Sequence, residues 1–325
     1  MAQQGTLFDT GSVLASTPDA AREDSLIEWS YSRRELFERC LLWYYFNYYG
    51  SKTGTAKSEP RKQELRFLKS LSNRHLRTGQ IMHLVIRTYL KHLKEGDEWT
   101  LDQVLRWSRE IYNGDLQRSL NQQQGMGVVE PSNRSVILAE FHFNLPDARS
   151  LWEESTARLA TALTNFVTSP ELERFRRGAA HPGSLIEKNL RLREEHFSLK
   201  GQIDFAYPEG GRFVILDWKL GAAGGGEDSL QLLSYALVAT KHFGCAPESL
   251  DLFKVHLEDG TVSSYTVREE EIRRARARII QDSQQMQAVD HYGRNGVAAA
   301  FTPCGQPRIC AMCPFQQFCA KGVAA

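Results

Sequence analysis

No stretch of this 325-residue chain keeps 18 apolar residues in a row, so no membrane-spanning helix is expected. Its first residues, MAQQGTLFDTGSVLASTPDAARED, lack the basic start and apolar middle of a secretion signal. They read as a loose polar arm. Cysteine is sparse: six residues, at 40, 245, 304, 310, 313 and 319, are too few for a disulfide scaffold. No G-x-x-x-x-G-K-[ST] occurs, which excludes a P-loop motor in this chain, so any duplex unwinding would come from a partner. The lack of a C-x₃-C-x₂-C pattern speaks against a radical enzyme. Neither charge dominates: 40 Lys+Arg against 39 Asp+Glu leave a formal +1, which neither supports nor excludes a nucleic-acid partner. The remaining composition, 42% hydrophobic and 24% charged, suits a globular chain with room for one large domain or two small ones. A cytoplasmic location is expected.

The hydrophobic period changes along the chain. In SLIEWSYSRRELFERCLLWYYFNYYG, Ser32 and Glu35 stand at capping-box spacing, which predicts a helix carrying Leu36, Phe37, Cys40, Leu41 and Tyr44. The aromatics Trp43, Tyr44, Tyr45, Phe46, Tyr48 and Tyr49 suit either core packing or base stacking. Next comes a basic stretch with Lys57, Arg61, Lys62, Arg66, Lys69, Arg74 and Arg77, either a phosphate-facing surface or an ordinary helix exterior. Residues 98–180 read as mostly helical, with a break near QQQGMGVVEPSNRS and no visible chemistry. There are no internal repeats. Period two then takes over in EEHFSLKGQIDFAYPEGGRFVILDWKLG, a β-hairpin turning at PEGG. A helix over DSLQLLSYALVATKHFG follows, then a second hairpin with Asp259-Gly260 at its turn, then a long charged helix. This order predicts an α/β protein.

The first hairpin concentrates charge. With Pro208–Gly211 taken as the turn, Asp204 falls opposite Ile215. Alternation then puts Asp204, Asp217 and Lys219 on one face. Ile203, Phe205, Val214, Leu216 and Trp218 take the other. Two carboxylates so placed suit Mg²⁺ or Mn²⁺, which polarises a phosphodiester and lowers the pKa of bound water. Lys219 would orient that water or offset charge developing on phosphorus. The bland alternative is a surface ion pair.

Four segments, in order, resemble the PD-(D/E)XK nuclease superfamily, in its RecB/AddB-like branch that is similar to the CRISPR-associated four-cysteine exonucleases. They are GQIMH (Gly79–His83), GQID (Gly201–Asp204), ILDWK (Ile215–Lys219) and QLLSY (Gln231–Tyr235). The resemblance covers about residues 40–83 and 200–319. It implies a restriction-endonuclease-like mixed sheet flanked by helices. It also implies metal ligation by His83, Asp204, Asp217 and a backbone carbonyl near Trp218. The catalytic residues it implies are Asp204, Asp217 and Lys219, supported by Gln231 and Tyr235. In the family's iron–sulfur members one early cysteine joins three late ones spaced C-x₂-C-x₅-C. Cys40, Cys310, Cys313 and Cys319 match that pattern and imply a [4Fe–4S] cluster, a clasp joining the N- and C-terminal parts. Four thiolates also suit Zn²⁺. Cys304 stands outside the pattern as a competing ligand, and Cys245 reads as a loop-edge or buried thiol. Departures are Leu41, where the family often has proline, and the glycine-rich GAAGGGEDS after Lys219.

The expected organisation has five parts. A flexible arm (1–28) precedes the N-terminal helical part of the nuclease domain (29–93). A mainly helical insertion (94–195), the nuclease core (196–300) and a C-terminal cysteine segment (301–325) follow. The expected function is a Mg²⁺/Mn²⁺-dependent deoxyribonuclease, an exonuclease on single-stranded DNA or DNA ends, in repair, recombination or anti-phage defence. A helicase or defence-complex protein is an expected partner. The rival reading is an inactive or partner-dependent DNA-binding module.

Overall fold

The computed structural model describes residues 26–52, 60–125, 135–221 and 229–319. Lys57, most of the glycine-rich loop after Lys219 and the N-terminal arm up to residue 25 lie outside the described residues. In chain order come β1 (Glu28–Trp29), α1 (Tyr31–Arg39) and α2 (Leu41–Tyr45), which runs on as a π-helical turn to Gly50. Then come α3 (Pro60–Ser70), α4 (Arg74–Lys94), α5 (Leu101–Gln123), α6 (Ala139–His142), α7 (Ala148–Thr168) and α8 (Glu173–Gly178). The hairpin region gives β2 (Leu185–Arg193), β3 (Ser198–Glu209) and β4 (Arg212–Lys219). The chain continues through α9 (Leu230–His242), β5 (Leu250–His256), β6 (Thr261–Thr266), α10 (Glu269–Arg294) and α11 (Pro307–Ala311).

Six strands form one mixed sheet, ordered β1-β3-β4-β5-β6, with β2 also on β3. The β1–β3 and β4–β5 pairs are parallel, the rest antiparallel. Two apolar cores lie on its faces. The first gathers side chains of α2, α3, α9 and α10, including Tyr44, Leu68, Tyr235 and Ile279. The second gathers α4, α5, α7 and α8, including Ile86, Tyr112, Phe166 and Phe175. The stretch expected as a mainly helical insertion, 94–195, contains α5, α6, α7 and α8. Its end does not fit, because Leu185–Arg193 is a strand of the same sheet.

Three local expectations are corrected. The first helix is capped by Ser30, not Ser32: Ser30 Oγ accepts from the Arg33 amide at 3.2 Å. That helix also ends at Arg39, because Cys40 is extended (φ −164°) and forms a corner between α1 and α2. The hairpin turn is tighter than PEGG, since Glu209 pairs with Arg212 across Gly210 and Gly211, both at positive φ. Glycine carries no Cβ penalty there, so a two-residue loop closes. Relative to the expected pairing, the register slips by two, so Ala206 rather than Asp204 faces Ile215. A slip of two preserves the faces, which a slip of one would have inverted.

The third correction concerns Ile203. It joins the first core with Leu199, whereas Phe205 and Tyr207 join the second. In β2, likewise, Leu190 and Leu192 belong to the first core while Ile186 packs on the second. Both strands change face at one level. Between the pairs Ile186↔Phe205 and Lys188↔Ile203 stand Glu187 and Asp204. Glu187 has φ 49°, a left-handed conformation that is costly for a side-chain-bearing residue and collects at functional sites. On the other edge of β3, the ladder to β1 stops at Leu199 and the ladder to β4 begins at Phe205. The sheet is therefore open beside Gly201–Asp204.

Candidate active site

Helix α4 brings His83 to that opening. Asn73 caps the helix, its Oδ1 accepting from the Leu76 amide at 2.9 Å. Its inner face, with Ile81, Met82, Val85 and Ile86, is buried in the second core. A buried fork fixes its rotation: Arg77 Nε and Nη2 donate to Asp115 Oδ2 and Oδ1 at 2.7 and 3.1 Å. Arg77 is thus a structural ion pair and not part of a phosphate-facing surface. Thr78 adds a 2.6 Å hydroxyl contact with Tyr112 of α5.

The side chains of His83, Glu187 and Asp204 converge. Their ligand atoms all lie within 4.8 Å of one another, as a single cation needs. His83 Nδ1 is 3.4 Å from Glu187 Oε1 and 3.5 Å from Asp204 Oδ1. Asp204 Oδ2 accepts from the Trp218 amide at 2.9 Å, and Gln202 Nε2 donates to Glu187 Oε2 at 2.6 Å. Burial, reinforced by the charges of Asp217 and Glu187, pushes the Asp204 carboxyl up to about 7, against the opposing pull of His83. Burial acts to lower the His83 imidazole, but Asp204, Glu187 and Asp217 outweigh it and raise it to about 9. Without a cation the site holds protons in its place.

Beside this group, Asp217 is buried, with 1% of its surface exposed. Its Oδ2 lies 2.7 Å from Lys219 Nζ, and among the described residues Oδ1 has no hydrogen-bond partner. A buried anionic oxygen without a donor is costly unless a cation meets it, so Asp217 fits a site that takes a divalent ion. Asp217 lies outside the 4.8 Å group. The Trp218 indole is buried in the second core against Phe166 and Phe205. Lys219 Nζ donates to Gln231 Oε1 at 2.8 Å, and Gln231 Nε2 donates to the Tyr235 hydroxyl oxygen at 2.9 Å. Gln231 and Tyr235 are one helical turn apart on α9. Tyr235 reaches the strand because residue 201 is glycine: a Cβ there would sit 3.2 Å from the ring. Burial lowers the pKa of Lys219, but the charge and hydrogen bond of Asp217, with Asp204 and Glu35, outweigh it and raise it.

His83, Glu187, Asp204, Gln231 and Tyr235 line a cleft of about 780 Å³, whose walls also include Arg33, Tyr48, His75, Arg87 and Lys200. Sequence reasoning missed Glu187. Its signal was the alternating run LIEKNLRLR directly before the hairpin, a period-two pattern at the end of a helical stretch. The aromatic run divides: Tyr44, Tyr45, Phe46 and Tyr49 are buried in the first core, while Tyr48 lines the cleft under the Arg33 guanidinium, 4.4 Å from the ring centroid.

The cysteines form a separate, apolar pocket. Cys40, Cys310, Cys313, Cys319 and also Cys304 line it, with Trp43, Phe46 and Phe315. The Leu42 amide donates to the Thr302 carbonyl at 3.3 Å and ties the two ends of the chain together there. Among the described residues no three of these sulfurs lie within 4.8 Å of one another. Burial and the neighbouring thiols push Cys313 up to about 12. Cys245 lies elsewhere, half-buried against the first core.

The sequence profile described as PD-(D/E)XK nuclease superfamily matches residues 28–320. No curated protein matches. A solved structure described as "Crystal structure of SSO0001" aligns at 11% identity over 66% of this chain and 96% of that one, with a TM-score of 0.29. A likeness of that size carries no argument. The profile match spans nearly the whole chain, and the His-Glu-Asp group lies within it on a mixed sheet flanked by helices: the chain belongs to the PD-(D/E)XK nuclease superfamily.

Proposed function

We propose that this chain is a Mg²⁺- or Mn²⁺-dependent deoxyribonuclease of the RecB/AddB-like branch, trimming single-stranded DNA or DNA ends. The observation that carries the reading is the convergence of His83, Glu187 and Asp204 in the lining of a cleft, with the buried Asp217 paired to Lys219 on β4. His83, Glu187 and Asp204 would hold the cation, and the buried Asp217 would add negative charge to the same site. A bound cation of this class polarises the phosphodiester and lowers the pKa of the attacking water.

The side chains supply the rest. His83 gives up its proton to become a ligand. The charge and hydrogen bond of Asp217 raise the Lys219 pKa, so in the metal-free site it is an ammonium with hydrogens to donate. Asp217 and Gln231 hold it from two sides, aimed at charge that grows on the phosphoryl oxygens. Gln231 uses its carbonyl for Lys219 and its amide for Tyr235, which leaves the Tyr235 O–H to donate elsewhere.

A [4Fe–4S] cluster on Cys40, Cys310, Cys313 and Cys319 belongs to the same proposal. Four of the pocket's thiols have the family spacing. The deciding experiment is cleavage of end-labelled single-stranded, duplex and circular DNA with Mg²⁺ or Mn²⁺. Nucleotides released from ends support an exonuclease, and cut circles support an endonuclease. Tight DNA binding without any cut supports the rival reading of a binding module.

A further inference from the structure

The segment Leu41–Gly50 separates two clefts. Its π-helical turn places Tyr48 in the catalytic cleft, beside Arg33. On its other side, Tyr45, Tyr49 and Gly50 line a second cleft of about 650 Å³. Insertions of this kind in helices recur at functional sites. Lys52, Arg61, Lys62 and Arg294 line the second cleft, and among the described residues no carboxylate does. The nearby Asp290 is already engaged, accepting from the Tyr49 hydroxyl at 2.8 Å and from Arg294.

Lys69 stands by the same segment. Its ammonium donates to the Asn47 carbonyl at 2.6 Å and stands 5.9 Å from the Tyr48 ring centroid. Burial and the charge of Lys52 lower its pKa, so the two lysines feel each other. The cations thus run from Arg33 past Tyr48 and Lys69 to Lys52 and Arg61. Arg61 lies 5.5 Å from the Phe318 ring centroid, beside the cysteine segment.

A row of like charges is relieved by a row of anions. A free phosphate or mononucleotide would meet only one end of it. The path also bends around a helix about 10 Å thick, which a duplex with a persistence length of about 150 base pairs does not follow. A single strand does. We propose that these residues are the track of a single-stranded nucleic acid beyond the point of cleavage, from the catalytic cleft over Tyr48 and Lys69 into the cleft of Lys52, Arg61 and Lys62. This rests on the nuclease reading of the catalytic cleft. It adds that the substrate is a strand long enough to reach the second cleft.

The test uses the full chain and fluorescein-labelled oligodeoxythymidylates in EDTA, followed by anisotropy from about 50 to 300 mM KCl. Lys52 and Arg61 are exposed, so the double variant Lys52→Ser/Arg61→Ser is expected to melt like the parent. It is expected to lose about tenfold in affinity for a long strand, with the salt slope smaller by about 1.4, roughly 0.7 per lost phosphate contact. Lys52→Arg with Arg61→Lys restores both. A double variant that binds the long strand with the parent's affinity and slope overturns the track. Equal losses on blunt duplex overturn the single-strand assignment. If the parent neither binds nor cuts any strand with Mn²⁺, the nuclease reading fails first, and the parent alone reports that.

Discussion

At the catalytic cleft, ligand atoms from α4, β2 and β3 stand within 4.8 Å of one another; at the cysteine pocket, five thiols share walls and, among the described residues, no three come that close. The chemistry of the two donor sets explains the contrast. Hard oxygen and imidazole donors around a single Mg²⁺ or Mn²⁺ need a tight, preformed cage, and the fold supplies one from three rigid elements. The cysteine pocket instead gathers its thiols from both ends of the described chain. One site is held by the fold. The other is expected to hold the fold.

That contrast sets the order of expected effects. Replacing Asp204 or Lys219 by alanine is expected to lower cleavage by roughly 10³-fold, leaving the yield and visible absorbance of the cysteine site unchanged. If both variants cut like the parent, the catalytic assignment is wrong. Cys310→Ser is expected to act the other way, costing yield, absorbance and roughly 10 °C of Tm. Cleavage per folded molecule should change little. A colourless, fully stable, fully active Cys310→Ser would break the comparison.

Glu187→Gln is the sharper probe, because only the geometry points to it. It is expected to weaken Mn²⁺ binding about 10- to 100-fold, measured by calorimetry, with Tm held or raised. The smallest effect is on pH. The metal-free folded site keeps a proton on Asp204 up to about 7, above the ordinary 3.8, and on His83 up to about 9, above the ordinary 6.5. The folded state therefore binds more protons than the unfolded chain over both windows, and its stability falls as pH rises through them. Asp204→Asn removes the first window and is expected to raise the Tm of the metal-free protein at pH 7 by about 2–4 °C. Mn²⁺ binding near pH 7 should release a proton from His83, seen as a dependence of the binding heat on buffer ionisation enthalpy.

Much of this was legible in the sequence because period two and helical spacing are local. The alternation of Ile203–Phe205 and Val214–Trp218 marked the hairpin, and the spacing of Gln231 and Tyr235 marked one helix face. What was not legible depends on partners far along the chain. Whether Ile203 shares a face with Phe205 is decided by a change of face at Glu187 and Asp204, which alternation cannot foresee. Glu187 itself hid at the end of a helical stretch, and its backbone (φ 49°) follows no propensity rule. Cys304 lay outside the spacing pattern, yet the link from Leu42 to Thr302 brings it to the same pocket. Arg77 looked like its basic neighbours until Asp115, from the next helix, claimed it.

The parallel pairing of β1 with β3 joins residue 28 to residue 198. Loop closure on that scale comes late, since the entropy lost must be matched by contacts that exist only once both ends are present. The catalytic walls come from Arg33 at one end and Tyr235 at the other, with His83 and Glu187 between. A chain interrupted anywhere before residue 235 lacks part of that wall, so the candidate site is complete only once Glu28 to Tyr235 are all present, and the β1–β3 pair ties its assembly to contacts across that span.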